Sequence, residues 1–167
     1  MLNTLSIRNA ALAVAAIATA TIAGAWIFEY LGYAPCPLCL RQRWAYYAGI
    51  PLSLVVAAMA PAKASMARAG LVLISLLWIG SAVFGAYHAG VEWKFWPGPD
   101  TCGGSLSGVL PDLSKPVIAC DAAAIRIFGL SLAGWNAVIS LAMAAVALAS
   151  TLSGEAESLR RKEIAPD

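Results

Sequence analysis

The sequence predicts an all-α integral membrane fold, an antiparallel bundle of four helices with two cysteine-bearing loops on one side of the bilayer. Three observations lead there. Of 167 residues, 60% are hydrophobic and only 12% charged, where a soluble domain carries about 25%. So short a chain cannot hide that much apolar surface in a water-soluble core. Four stretches contain no Asp, Glu, Lys or Arg: Ala10–Phe28 (19 residues), Trp44–Ala62 (19), Ala69–Val91 (23) and Ile127–Gly154 (28). Each is long enough for a helix to cross the hydrocarbon core, which takes about 20 residues. All four cysteines fall between these stretches, in the first and third connections. The expected organisation is one membrane domain over residues 1–167, with spans near 10–28, 44–62, 69–91 and 129–152.

The first stretch has two readings. Arg8, the alanine-rich run and Ala23-Gly24-Ala25 resemble a cleavable signal peptide. Hydrophobicity continues past that point through Trp26, Ile27 and Phe28, which favours a retained helix. Both readings put residues 30–43 across the membrane. The connections then differ in kind. Residues 29–43 form a short loop with Pro35, Cys36, Pro37 and Cys39, and residues 63–68 a tight turn after Pro61. Residues 92–126 form a long Pro/Gly-rich loop, and the charged tail from Glu155 is expected to be solvated. Small residues such as Gly80, Ser81 and Gly85 would let helices approach closely.

Four spans place both termini on one side. Cytoplasmic termini would put Arg8, Lys63, Arg68, Arg160, Arg161 and Lys162 inside, against Arg41, Arg43, Lys94, Lys115 and Arg126 outside. The positive-inside bias is thus slight. The cysteines decide more: disulfides persist in oxidising compartments, so the cysteine loops are expected to face outward. A net charge of +2, with basic residues mostly scattered singly, gives no nucleic-acid footprint.

Cys36-Pro37-Leu38-Cys39 has the C-x-x-C spacing of redox-active dithiols. Pro37 suits the first turn of a helix. Cys39 would then sit near unpaired backbone N–H groups and the positive end of the helix dipole, which favour a thiolate. Arg43, four residues on, shares that helical face and adds its cation; Arg41 reads as an interfacial anchor. Cys102 and Cys120 lie 18 apart in the long loop. A disulfide between them would close a loop worth about 3 kcal/mol on a chain-entropy account, so a plain structural staple is one reading of this pair. A zinc site built from all four cysteines is another, although zinc usually takes two tight pairs.

A dithiol that gives disulfides away must be reoxidised. The chain has no Gly-rich dinucleotide motif, no C-x-x-C-H haem attachment and a single histidine, His88. A membrane-soluble quinone fits as the acceptor, with Arg43 stabilising the anion that develops. His88, near the outer end of the third span, is placed to hydrogen-bond a quinone oxygen or supply protons; it reads equally as an interfacial residue solvating the helix end. Trp93, Phe95 and Trp96 read as headgroup-level anchors for the long loop.

Together these residues resemble the disulfide bond formation protein B (DsbB) family. The resemblance rests on Cys36-Pro37-Leu38-Cys39 with Gln42-Arg43 and on Tyr87-His88-Ala89-Gly90-Val91-Glu92. It extends through Trp96-Pro97-Gly98-Pro99 to Cys102, then Cys120-Asp121, Gly129-Leu130-Ser131 and Gly134-Trp135-Asn136. It implies a multi-pass thiol oxidase of the bacterial inner membrane, with cytoplasmic termini and periplasmic cysteine loops. It implies Cys36–Cys39 and Cys102–Cys120 disulfides, a thioredoxin-fold periplasmic partner of the DsbA type, and ubiquinone or menaquinone as acceptor; this relay is the established means of keeping the periplasm oxidising. Cys36, Cys39, Cys102, Cys120 and Arg43 would be catalytic, and Arg43, His88 and Cys39 would bind the quinone, with no metal. The rival classes are a tetraspan scaffold with structural disulfides, a metal-binding membrane protein, and a thiol oxidase dedicated to one client.

Overall fold

The computed structural model describes residues 6–99, 102 and 119–164, the last eleven by backbone alone. Four helices carry the fold: α1 (Ile7–Tyr30), α2 (Pro37–Met59), α3 (Ala64–Glu92) and α4 (Leu132–Ile164). Three are long and apolar enough to cross a membrane: α1, α3 and the Leu132–Ser153 part of α4. Large apolar side chains such as Leu73, Leu76, Val83 and Leu141 face outward, as suits a lipid environment and not water.

Each helix begins and ends for a local reason. Ser6 caps α1, its hydroxyl accepting from the Asn9 N–H at 3.3 Å. The helix runs unbroken through Ala23-Gly24-Ala25. It closes at Gly32, whose φ of +97° suits glycine. There the N–H groups of Gly32 and Tyr33 return to the carbonyls of Glu29 and Phe28, the paired bonds of a Schellman ending. Cys36 caps α2 and Pro37 opens it. α3 also ends in a Schellman turn, with Lys94 at φ +63° where glycine is usual.

The helix ends differ from the expected spans. Charge-free counting drops Arg8, Glu29, Arg41, Arg43, Arg68 and Glu92, yet all lie inside helices, because a charge within a turn or so of the end reaches the interface. α2 begins at Pro37, as that proline suggested, ahead of the charge-free stretch, and stops at Met59, just before the turn at Pro61. α4 begins at Leu132, where the span was expected near 129, and its backbone continues to Ile164 through the charged tail. The all-α expectation also missed a minimal antiparallel hairpin, β1 (Arg126–Ile127) with β2 (Leu130–Ser131). Its loop, Phe128-Gly129, has positive φ at both positions, as a type I′ two-residue hairpin requires.

The core is a stripe from each helix. α1 contributes Ala11, Val14, Ala18 and Ile22; α2 Tyr46, Val56 and Ala57; α3 Ala67, Leu71, Ile74 and Trp78; α4 Met143, Ala144 and Ala147. The α1 and α3 spacings of three or four residues follow the helical period. α3 and α4 meet closely at Gly85, where an added Cβ would lie 2.9 Å from the Ala137 backbone nitrogen. Polar side chains inside the bundle pair across helices. Tyr46 Oη donates to Asn136 Oδ1 at 2.6 Å, the Ser81 and Ser140 hydroxyls bond at 3.0 Å, and Ser75 donates to the Ala144 carbonyl at 3.2 Å. Such bonds satisfy groups that lipid would leave unpaired.

Candidate redox site and adjoining cavity

The site is built on the first turn of α2. As the cap residue, Cys36 turns its sulfur back over the helix end and accepts the Cys39 N–H at 3.2 Å. This is the capping geometry usually supplied by Ser or Asp, and it makes the C-x-x-C spacing a consequence of helix initiation. The two sulfurs lie 2.7 Å apart as free thiols. Cys102 and Cys120, by contrast, are joined as a disulfide.

The two inner cysteines face different surroundings. Cys36 is buried with Leu38, Cys102 and Cys120 in one small cluster, with Cys39 and Phe84 against its edge. Cys39 lines a cavity of about 480 Å³ bounded by α1, the residue 33–35 loop, the start of α2, the hairpin region and the first half of α4. Its walls include Ile22, Ala25, Phe28, Ile127, Leu132 and Ile139, with Gln42, Arg43, Tyr46, Trp135 and Asn136 as the larger polar or amphipathic groups. The Trp135 indole N–H donates to the Ile127 carbonyl at 2.9 Å, tying the hairpin to α4 beside this cavity.

Arg43 and Cys39 line the same cavity, but the guanidinium is engaged elsewhere: Nη1 donates to Glu29 Oε2 at 2.6 Å, across from α2 to the end of α1. His88 departs further from expectation. It is 1% exposed and is not among the cavity's lining residues. Its Nε2 lies 3.5 Å from Cys36 Sγ and 3.8 Å from Glu92 Oε1, and its Nδ1 lies 3.0 Å from the Gln42 amide nitrogen. The ring thus serves the thiol from the side away from the cavity.

Cys39 was the expected thiolate; in the dithiol the groups that favour negative charge converge on Cys36, whose thiol is held well below its usual range. The main cause is the hydrogen bond from the Cys39 thiol; burial opposes it, while His88 and the Cys39 N–H assist. The helix end acts on the residue its N–H groups point to, which is the cap and not the third residue of the helix. Outside the membrane, Lys94 pairs with Asp121 and holds that carboxyl below its usual range. The pair ties the start of the long connection to the residue after Cys120.

Cys36, Cys39 and His88 each bring one ligand atom within 4.8 Å of the others. Two thiolates on one tetrahedral zinc stand about 3.8 Å apart, given Zn–S bonds near 2.3 Å, so the sulfurs would have to separate. The four-cysteine set is not assembled, since two of its members form a disulfide. Sequence reasoning gave no role to Gln42, Glu29 or Glu92. Spacing was a signal for two of them: Gln42 follows Cys39 by three residues and Glu92 follows His88 by four, each pair sharing a helical face. The Glu29–Arg43 pair joins two helices and has no local signal.

A family model described as disulfide bond formation protein DsbB matches residues 7–150. An uncharacterized protein of Rickettsia prowazekii (strain Madrid E) is 26% identical over 138 residues, covering 76% of this chain and 77% of that one. Disulfide bond formation protein B of Albidiferax ferrireducens is 30% identical over 129 residues, covering 70% of each chain. No solved structure matches. The family match spans α1, α2 and α3 whole, the first part of α4 and all three connections between the helices, and takes in all four cysteines. On that ground the chain belongs to the DsbB family of disulfide bond formation proteins.

Proposed function

We propose that this protein is a thiol:quinone oxidoreductase of the bacterial inner membrane. It reoxidises a DsbA-type periplasmic dithiol oxidase and passes the electrons to ubiquinone or menaquinone. The observation that carries this reading is the division between the inner cysteines: Cys36 packs beside the Cys102–Cys120 disulfide, while Cys39 opens on the cavity. Family membership supports disulfide formation in a membrane setting.

In this reading α2 is the fourth span and the helices alternate in direction, as the short connections at residues 31–36 and 60–63 favour. The termini are cytoplasmic and both cysteine loops periplasmic. The cavity suits a quinone ring. Its volume of about 480 Å³ lies within the range of about 300–1,000 Å³ usual for small-molecule sites, and such sites pair apolar walls with a few polar groups. When bound, the quinone supplies an acceptor for two electrons and two protons.

The chain's own residues do the rest by thiol–disulfide exchange. A partner thiolate attacks Cys102, the less buried of the outer pair. A Cys102–partner disulfide forms and Cys120 leaves with the electron pair. With the inner pair in its oxidised form, Cys120 attacks Cys36 of the Cys36–Cys39 disulfide, forming a Cys36–Cys120 bond and breaking the bond to Cys39, which is released as the thiolate facing the cavity. The partner's second thiol then frees Cys102, which recaptures Cys120 and releases Cys36. The Cys36–Cys39 bond closes as two electrons leave through Cys39. The partner loses two electrons and two protons, and the acceptor gains both. Arg43 stabilises negative charge at the cavity, and Glu29 holds it in place.

The test uses purified protein in detergent with a reduced thioredoxin-fold dithiol partner and a soluble quinone, following quinone absorbance. Wild type should consume quinone catalytically and Cys39→Ser should not. Full turnover by Cys39→Ser would remove Cys39 from the electron exit. No consumption by either, with partner and quinone proven competent on a control enzyme, would favour structural disulfides instead.

A further inference from the structure

We infer that Gln42 is a positioning residue that locks His88 in the tautomer with its proton on Nε2, so that the ring donates to Cys36. The inference deepens the proposed function, on which its catalytic consequence rests. Two sides of the imidazole argue for it independently. On one side, the Gln42 amide nitrogen lies 3.0 Å from Nδ1; an amide nitrogen only donates, so Nδ1 must accept. On the other side, Nε2 faces two acceptors, Cys36 Sγ at 3.5 Å and Glu92 Oε1 at 3.8 Å. Turning the amide over would offer its oxygen to an Nδ1–H instead. The Nε2 lone pair would then point at a sulfur and a carboxylate oxygen, both electron-rich, inside a buried site. Of the two neutral tautomers, only the Nε2–H form satisfies both faces of the ring.

The charged and titratable groups around this contact are Cys36 and Cys39 on α2, Glu92 on α3 and Arg126 on β1. Arg43 is held by Glu29. Gln42 has a second property: it lines the cavity as well as bonding His88. One amide therefore connects the acceptor's cavity to the far side of the thiol pair. In the last step of the relay, Cys36 Sγ forms the bond to Cys39 Sγ while both electrons leave through Cys39 to the quinone. A ring that donates to Cys36 keeps that sulfur unprotonated and ready to attack.

Because His88 is the only histidine in the chain, histidine labelled with ¹⁵N reports on one ring. The full chain is labelled, reduced and studied in detergent near neutral pH. Wild type should show a protonated Nε2 and a bare Nδ1. Gln42→Met, close in volume but without the donor, should add an Nδ1–H population, and Gln42→Glu should place a proton on Nδ1. In parallel, the pH midpoint for alkylation of Cys36 by a small reagent should rise by about one unit in Gln42→Met. An Nδ1–H ring in wild type overturns the inference, and this measurement stands if a variant fails to fold. Unchanged ring signals in both variants overturn it too. A merely structural role for Gln42 would not move the proton. Neither readout involves the partner or a quinone, so failure here leaves the relay standing, and failure of the quinone assay leaves the tautomer standing.

Discussion

At the scale of single residues, the polarity of the inner cysteine pair is the main finding. Spacing and the helical period, being local properties, put Cys36, Cys39 and Arg43 at the start of a helix, where α2 has them. Which sulfur of the dithiol collects the hydrogen bonds was not legible in the sequence, because it depends on the cap geometry and on a histidine 52 residues away. The shift has a testable sign. The Cys36 thiol is lowered from 9.0 to about 4 in the folded, reduced protein. A depressed acid contributes stability that is full above the unfolded pKa and is lost as pH falls through the folded one. Between pH 9 and about 4, then, the reduced protein should lose thermal stability relative to its disulfide form as pH falls, read as the gap between their unfolding midpoints. A gap that does not change over that window would contradict a Cys36 thiolate. Arg43 yields a second prediction. It lines the cavity and is held by Glu29 at 2.6 Å. Arg43→Ala should lower kcat/KM for quinone on the order of a hundredfold, as loss of one charge-stabilising donor does, while partner trapping at Cys102 changes little. Equal losses in both would assign Arg43 a general structural role.

At the scale of elements, helices were legible as apolar runs, but their ends were not. Charged residues at an end stay inside the helix, and the signals that stop α1 and α3 are backbone bonds at Gly32 and Lys94. The hairpin before α4 escaped notice because two-residue strands leave no period to detect. Close packing was foreseen at Gly80 and Gly85 together, and the structure separates them. A Cβ at Gly80 meets nothing within 4 Å, whereas one at Gly85 meets Asn136 Nδ2 at 2.8 Å and Ala137 N at 2.9 Å. Gly85→Ala should therefore cost about 1–3 kcal/mol by overpacking. Gly80→Ala should be neutral or stabilise by up to about 1 kcal/mol through helix propensity. Thermal midpoints in detergent compare the two directly, and equal shifts would deny the tight α3–α4 contact. Tyr46→Phe removes the bond to Asn136 and should cost about 0.6 kcal/mol, typical of bonds between membrane helices. Asn136→Leu in the Tyr46→Phe background should then cost less than it does alone.

At the scale of the whole molecule, composition alone indicated a membrane protein, because no packing of 167 residues could bury so much apolar surface. The order of helices around the bundle, the cavity and its wall of hairpin and α4 needed the fold, since they join residues from both ends of the chain. The proposed topology is tested with a cysteine-free variant carrying one new cysteine. At Leu31 it should react with an impermeant maleimide from the periplasmic face, and at Ala62 only once the cytoplasmic face is opened. Labelling of both from one face would refute the arrangement. One feature reaches beyond the relay itself. Cys36 and Cys39 stand within one helical turn, yet one is packed under the outer disulfide and the other opens on an apolar cavity. In the proposed relay that turn would work as an insulator between two circuits. A stray water-soluble thiol would meet the outer disulfide but not the lipid-dissolved oxidant, and the oxidant would meet Cys39 but no secreted protein. A short circuit between them would thereby be prevented, with current flowing only when Cys120 closes the switch.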